Sequence, residues 1–234
     1  MCGRFALTVT PELLKKVFGY VELPNFPPLT NISPTQPVVT ITQDHQKRHF
    51  QLMRWGFIPS WVKDPADFPL LFNARSETVS EKPAFRTAIR HRRCLIPASG
   101  FYEWLNDGKV KVPFLIAMKD RSPLALAGIW ETYSGGDGSE IDTVAIITTS
   151  ANAEVAPLHN RMPAIISPPD FSLWLDSSAP NLMEALSLLR PAPNGLLQIE
   201  PYDPVKGPLT LENNPPMIPK NENQPRKSDQ FDLF

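Results

Sequence analysis

The sequence predicts an α+β fold: a single compact domain with a strand-rich core, barrel-like or a curved sheet, flanking helices and long Pro-rich loops. Three observations carry that prediction. A hydrophobic content of 42% over 234 residues is enough for a sizeable core. The centre of the chain is a series of short apolar blocks separated by turn residues, the pattern of strands. The 27 prolines are scattered through the connections, which points to long ordered loops within one unit and not to modules joined by a linker.

The elements follow in order. Thr10-Pro11, then Glu12, Leu13, Leu14, Val17, Phe18 and Gly19, spell a capped amphipathic helix with a glycine stop. A Pro-rich loop leads to residues 38–41 and 49–57, whose alternation predicts a hairpin. Further strands are predicted at 114–118, 124–130 and 143–149, helices at 171–175 and 182–189, and a returning strand at 196–199. No internal repeat is present. The domain is expected to span residues 1–219. Residues 220–234 are polar, without apolar periodicity until the last few positions, and read as a disordered tail.

A net charge of −1 provides no global basic field, so any nucleic-acid contact has to come from a local patch. Two cysteines, Cys2 and Cys94, make neither a disulfide scaffold nor the paired spacing of structural zinc. No metal and no cofactor is expected. No apolar run approaches the ~20 residues of a membrane span, and the start lacks the basic-then-apolar layout of a secretory signal. A reducing, cytoplasmic setting without membrane attachment is the expectation.

The most informative position is the second. Removing the initiator from Met1-Cys2-Gly3-Arg4-Phe5 would leave Cys2 with a free α-amine beside its thiol. Such a 1,2-aminothiol condenses with an aldehyde, first as an imine and then, through sulfur, as a five-membered thiazolidine. Ordinary pKa values of roughly 7.7–8.0 for the amine and about 8.5 for the thiol leave a useful fraction of each nucleophile near neutrality. The competing reading is a small buried side chain. Elsewhere, chemistry concentrates in four segments: Phe72 to Thr78, Gly100-Phe101-Tyr102-Glu103-Trp104, Thr148-Thr149-Ser150-Ala151-Asn152, and Pro157 to Pro163. Glu103 lies among aromatic residues, which can desolvate a carboxyl and raise its pKa, though this segment alone reads more readily as an exposed strand carboxylate. His159, one of four histidines, is a candidate proton shuttle or a structural side chain.

Taken together, Met1-Cys2-Gly3-Arg4-Phe5, Asn31-Ile32-Ser33-Pro34, Arg54-Trp55-Gly56-Phe57-Ile58-Pro59-Ser60-Trp61, Asn73-Ala74-Arg75-Ser76-Glu77-Thr78, Arg93-Cys94-Leu95-Ile96-Pro97, Gly100-Phe101-Tyr102-Glu103-Trp104 and His159-Asn160-Arg161-Met162-Pro163 resemble, in order, the motifs of the SOS response-associated peptidase family, also called abasic-site processing proteins. The resemblance implies capture of abasic sites in single-stranded DNA through a thiazolidine at the terminal cysteine, with lyase-type Schiff-base chemistry and self-directed removal of Met1. It makes Cys2 the nucleophile and places Asn73, Glu103 and His159 at the family's active-site positions. Asn73 would orient the amine or the sugar, Glu103 would relay protons, and His159 would act at the sugar oxygen. Two alternatives stay open: a thiol peptidase using Cys2 and His159, and a non-enzymatic single-stranded DNA or clamp adaptor.

For holding a strand, Arg4, Arg75 and Arg161 are the arginines nearest these motifs, and Trp61 is the candidate for stacking on a base, whereas Trp55 reads as core. Arg86, Arg90, Arg92 and Arg93 around Ala88 and Ile89 read as a solvated helix face. The stretch from Glu200 to Lys206 departs from the family pattern and receives no DNA-contact role. The last five residues, Gln230, Phe231, Asp232, Leu233 and Phe234, resemble the pentapeptide that docks on the bacterial sliding clamp. Such a tether would keep the protein near the nucleoid.

Overall fold

The structure, a computed structural model, describes residues 2–106, 108, 111–178 and 181–202. The chain forms β1 (Phe5–Leu7), α1 (Pro11–Phe18), β2 (Leu29–Ile32), β3 (Pro37–Asp44), β4 (Lys47–Trp55), β5 (Asn73–Arg75), α2 (Ala88–His91) and β6 (Arg93–Ala98). It continues through β7 (Gly100–Asn106), β8 (Lys111–Met118), β9 (Leu124–Ser134), β10 (Glu140–Ser150), β11 (Arg161–Pro163), α3 (Phe171–Leu175), α4 (Leu182–Ser187) and β12 (Leu197–Pro201). The architecture is the α+β one predicted.

Local chemistry accounts for the first elements. Thr10 Oγ1 accepts from the Leu13 amide, Pro11 opens α1, and Gly19 closes it in the left-handed region at φ 69° with its N–H on the Lys15 carbonyl. Leu14 and Phe18, one turn apart, are the buried face. The predicted hairpin is β3–β4, in register from Pro37 opposite Arg54 to Asp44 opposite Lys47. Its two-residue turn, His45-Gln46, has both φ angles positive (46° and 67°) as a type I′ turn requires, without the usual Asn-Gly.

Two sheets share one core. The first has strand order β12-β8-β7-β1-β2. In the second, β10-β4-β3-β6-β9 runs back to β10, so these strands close into a barrel and present no free edge to a neighbour. Phe5, Phe101 and Ile116 from the first sheet and Ile41, Leu95, Leu126 and Ile146 from the barrel belong to the same buried cluster. Within the barrel, Gly128 on β9 leaves room for its partner on β6, since a Cβ there would lie 2.8 Å from Cys94 Sγ. Trp55 is fully buried, as read from the sequence, and its indole N–H donates to the Phe72 carbonyl at 2.8 Å.

The arginines around α2 correct one expectation. Arg93 is buried, not solvated. Its guanidinium donates to Ile89 O (2.9 Å), Arg90 O (3.3 Å), Trp174 O (2.6 Å) and Asp176 O, and lies over the Trp174 ring. These carbonyls sit at the C-terminal ends of α2 and α3, where backbone acceptors lack helical partners, so one planar side chain with five donors satisfies both ends. Arg92 pairs with the buried Glu131 at 3.0 Å. The helix expected over 182–189 is shorter, ending at Ser187. Among the described residues no helix is long and apolar enough to cross a membrane. The boundary expected at residue 219 and the pentapeptide Gln230 to Phe234 lie outside the described residues.

Candidate active site around Cys2

Strand pairing brings the four predicted catalytic positions together from distant parts of the chain. β1 runs antiparallel to β7, with Phe5 opposite Phe101 and the Tyr102 amide donating to Arg4 O at 2.9 Å, so the N-terminal segment lies alongside the strand that carries Glu103. β10 is the second organiser. It pairs along one edge first with β4 and then with β5, placing Asn73 opposite Ile146. Along the other edge it pairs with β9 and then with β11, placing Arg161 opposite Ser150. The ends of β5 and β11 therefore flank Thr148 on opposite sides.

Asn73 reaches the N-terminal segment directly: its Nδ2 donates to the Cys2 carbonyl at 2.9 Å. Its Oδ1 is buried and accepts no hydrogen bond from any described residue. The amide thus grips the backbone of the nucleophile's own residue and holds an acceptor in reserve. While Met1 is attached, the Cys2 nitrogen is a peptide nitrogen; once it is freed, it becomes an amine with donors to offer.

Glu103 is buried. Desolvation raises its pKa above the ordinary carboxylate value, while the positive charges of the chain's N-terminal ammonium and of His159 draw it back. The Cys2 thiol is also fully buried, and burial, reinforced by the negative charge of Glu103, pushes its pKa well upward. This modifies the expectation of an accessible thiolate. Cys2 is a protonated thiol beside a carboxyl that can exchange protons.

His159 closes a turn that begins at Asn152. Asn152 Oδ1 accepts from the Val155 amide at 2.9 Å, and its Nδ2 donates to Ala192 O at 3.1 Å, so this buried side chain shapes the loop. The half-buried His159 ring accepts the Arg161 amide on Nδ1 at 2.9 Å. Nδ1 also lies 3.2 Å from the Arg161 carbonyl; the shorter amide contact, in which the backbone N–H donates, favours a neutral ring with its proton on Nε2.

The predicted strand-holding residues separate into two kinds. Trp61 is 59% exposed, with its ring edge-on to Phe68 at 5.6 Å, and Arg75 is exposed at the end of β5. Arg4 is half-buried, with Nη1 on Asn31 Oδ1 at 3.0 Å. Arg161 is instead committed inside the protein. It makes a bidentate pair with Glu77 (2.5 and 2.9 Å) and donates to the Thr148 carbonyl at 2.5 Å. The Glu77 pKa is lowered, first by this hydrogen bonding. Sequence reading assigned Glu77 no role; its only signal was its place in the Asn73-to-Thr78 segment.

Comparison with known proteins places the chain among named relatives. The chain is 37% identical over 195 residues to "Abasic site processing protein YoqW" of Bacillus subtilis, covering 82% of this chain and 87% of that protein. It is 32% identical over 182 residues to "Abasic site processing protein YedK" of Escherichia coli, covering 75% and 79%. It is 29% identical over 239 residues to "Abasic site processing protein HMCES" of Xenopus tropicalis, covering 83% and 71%. Among solved structures, a protein from Bacteroides thetaiotaomicron superposes with a TM-score of 0.78 at 25% identity, over 93% of this chain and 97% of that one. The model of the family "SOS response associated peptidase (SRAP)" matches residues 1–205. With its fold, its ordered motifs and that match in agreement, the chain belongs to the SOS response associated peptidase family.

Proposed function

We propose that this protein processes abasic sites in single-stranded DNA as part of a DNA damage response, capturing the lesion as a covalent adduct on Cys2 after Met1 has been removed. The observation that carries the reading is the convergence on Cys2 of the Asn73 side chain, bonded to its carbonyl, and the buried Glu103, whose charge acts on its thiol.

In the proposed sequence, His159 in its protonated, imidazolium form donates the Nε2 proton to the sugar ring oxygen as the C1′–O4′ bond breaks, while the C1′ hydroxyl gives its proton to water, which exposes the C1′ aldehyde and leaves a neutral imidazole. The Cys2 α-amine, oriented by Asn73 Oδ1, adds to the aldehyde carbon, and water leaves as the imine forms. Sulfur then adds to the same carbon. The C–S bond forms, the C=N π pair goes to nitrogen, and the thiol proton passes through Glu103 to that nitrogen, giving a thiazolidine. Overall, aldehyde and aminothiol become thiazolidine plus one water, with no change of oxidation state. Burial raises the pKa of Glu103 toward the range useful for such transfers. Ring closure also removes the imine through which Schiff-base chemistry would cleave the strand.

A thiolate–imidazolium peptidase pair fits less well, because both burial and Glu103 disfavour the thiolate such a pair needs. The C-terminal pentapeptide enters the proposal as an anchor for a sliding clamp, on the strength of its sequence alone.

The test is to incubate the Met1-free chain with single-stranded DNA bearing one abasic site and determine the attachment atom by mass spectrometry. The expected product is an adduct of protein plus DNA minus one water at Cys2, heat-stable in the wild type and heat-labile in Cys2→Ser. An equally stable adduct in Cys2→Ser, or DNA processing by Cys2→Ala at the wild-type level, would overturn the reading.

A further inference from the structure

On β7, Tyr102 and Trp104 alternate with Glu103 and therefore face the side of the first sheet away from it. A cavity of about 350 Å³ opens on that side, lined by Arg4, Thr30, Asn31, Tyr102, Trp104, Pro113 and Tyr202. Its walls are built. The Tyr102 hydroxyl donates to Thr30 O at 2.9 Å, and Tyr202 meets Tyr102 edge-on at 4.8 Å, its own amide held by Pro113 O at 2.8 Å. Trp104 is 37% exposed, and its ring stacks on no aromatic ring among the described residues. At the rim, the bond to Asn31 uses one of the five N–H donors of Arg4 and fixes the orientation of the guanidinium.

We infer that this cavity is a nucleotide subsite: an unpaired base of the captured strand packs against Trp104 and Tyr202 while its phosphate is held by Arg4. This rests on the proposed capture of single-stranded DNA and assigns it a second point of grip. A planar base with a phosphate matches an aromatic-lined cavity that has one fixed cation at its edge. Continuity with the reacting centre is covalent. Only Gly3 separates Arg4 from Cys2, at most about 7 Å between their Cα atoms, so a phosphate on Arg4 belongs to a nucleotide close to the lesion. Stacking on Trp104 and Tyr202 tolerates any base, because every base offers a π face.

Undamaged single-stranded oligodeoxynucleotides with 2-aminopurine at successive positions test this without any covalent step. The wild-type chain is expected to quench the probe wherever it lies away from the strand ends, because an undamaged strand binds in any register. Trp104→Ala should weaken binding by roughly tenfold and abolish that quenching, with Trp104→Phe restoring most of both. Arg4→Gln should reduce the slope of log affinity against log salt by about 0.7, the value for one phosphate contact on a single strand. Quenching at no position in the wild type overturns the inference and needs no variant to fold. So does Trp104→Ala binding the strand as tightly as wild type, or a deoxynucleoside monophosphate binding more tightly than the strand. Adduct formation on abasic DNA, followed in parallel, separates the two proposals. Quenching that depends on Trp104 without any adduct sinks the covalent reading and leaves the subsite standing, and an adduct with wild-type strand affinity in Trp104→Ala does the reverse.

Discussion

On the proposed mechanism, Glu103 sets proton transfer against stability at a single side chain. Its raised pKa, caused first by burial, means that the folded state keeps this proton to a higher pH than the unfolded chain does. The stability contribution is therefore present in full below the ordinary carboxylate value of 4.5 and is lost as pH rises through the folded value. Glu103→Gln should melt above wild type at pH 8 and level with it at pH 4, while forming the Cys2 adduct about a hundredfold more slowly. Thermal melts at the two pH values and adduct time courses check both halves; a variant that melts below wild type at pH 8 contradicts the desolvation argument. Cys2 and Glu103 were legible in the sequence because their signals are local: one is the terminus, and the other lies among aromatic residues. The state of the thiol was not, since it depends on a carboxyl 101 positions away and on complete burial.

Short strands supply the next scale. β5 and β11 have three residues each, too few to show a period, yet they carry Asn73 to one edge of β10 and Arg161 to the other. The long hairpin and α1 were readable because alternation and capping repeat over many residues. Between β5 and β11, the Glu77–Arg161 pair acts as a strut. Arg161 offers its guanidinium to Glu77 and to Thr148 O, and its backbone N–H to His159 Nδ1. Glu77 is a positioning residue on this geometry. Because its side chain is about half exposed, Glu77→Gln should cost at most about 1 kcal/mol of stability. Adduct formation should nonetheless slow by roughly tenfold with an altered pH profile, as the histidine loses its fixed orientation, and Glu77→Asp should recover part of the rate. An unchanged profile in Glu77→Gln would assign the pair to stability alone. The pair was invisible in the sequence because its partners lie 84 residues apart.

At the scale of the whole molecule, the strand-rich character was evident from composition and turn spacing, but closure of the barrel was not. Closure depends on parallel pairing between β10 and β4, with Thr143 opposite Arg54, a register no local pattern encodes. The proposed clamp anchor belongs to this scale too, because it links the domain to a partner. Deleting residues 230–234 should abolish binding to a purified bacterial sliding clamp and leave adduct formation on free abasic DNA at the wild-type rate, as surface plasmon resonance and gel shift would show. Retained clamp affinity would dismiss the anchor.

The burial of Cys2 has a protective side. Oxidation of a cysteine to sulfenic acid and beyond proceeds through exposed thiolate, and this sulfur has neither the exposure nor the charge. The conditions that strip bases from DNA often include oxidants, which would destroy an open aminothiol before it met a lesion. The packing that delays ionisation of the sulfur would also keep it reduced, and on the proposed mechanism it would become competent only once an aldehyde had been drawn onto the neighbouring nitrogen.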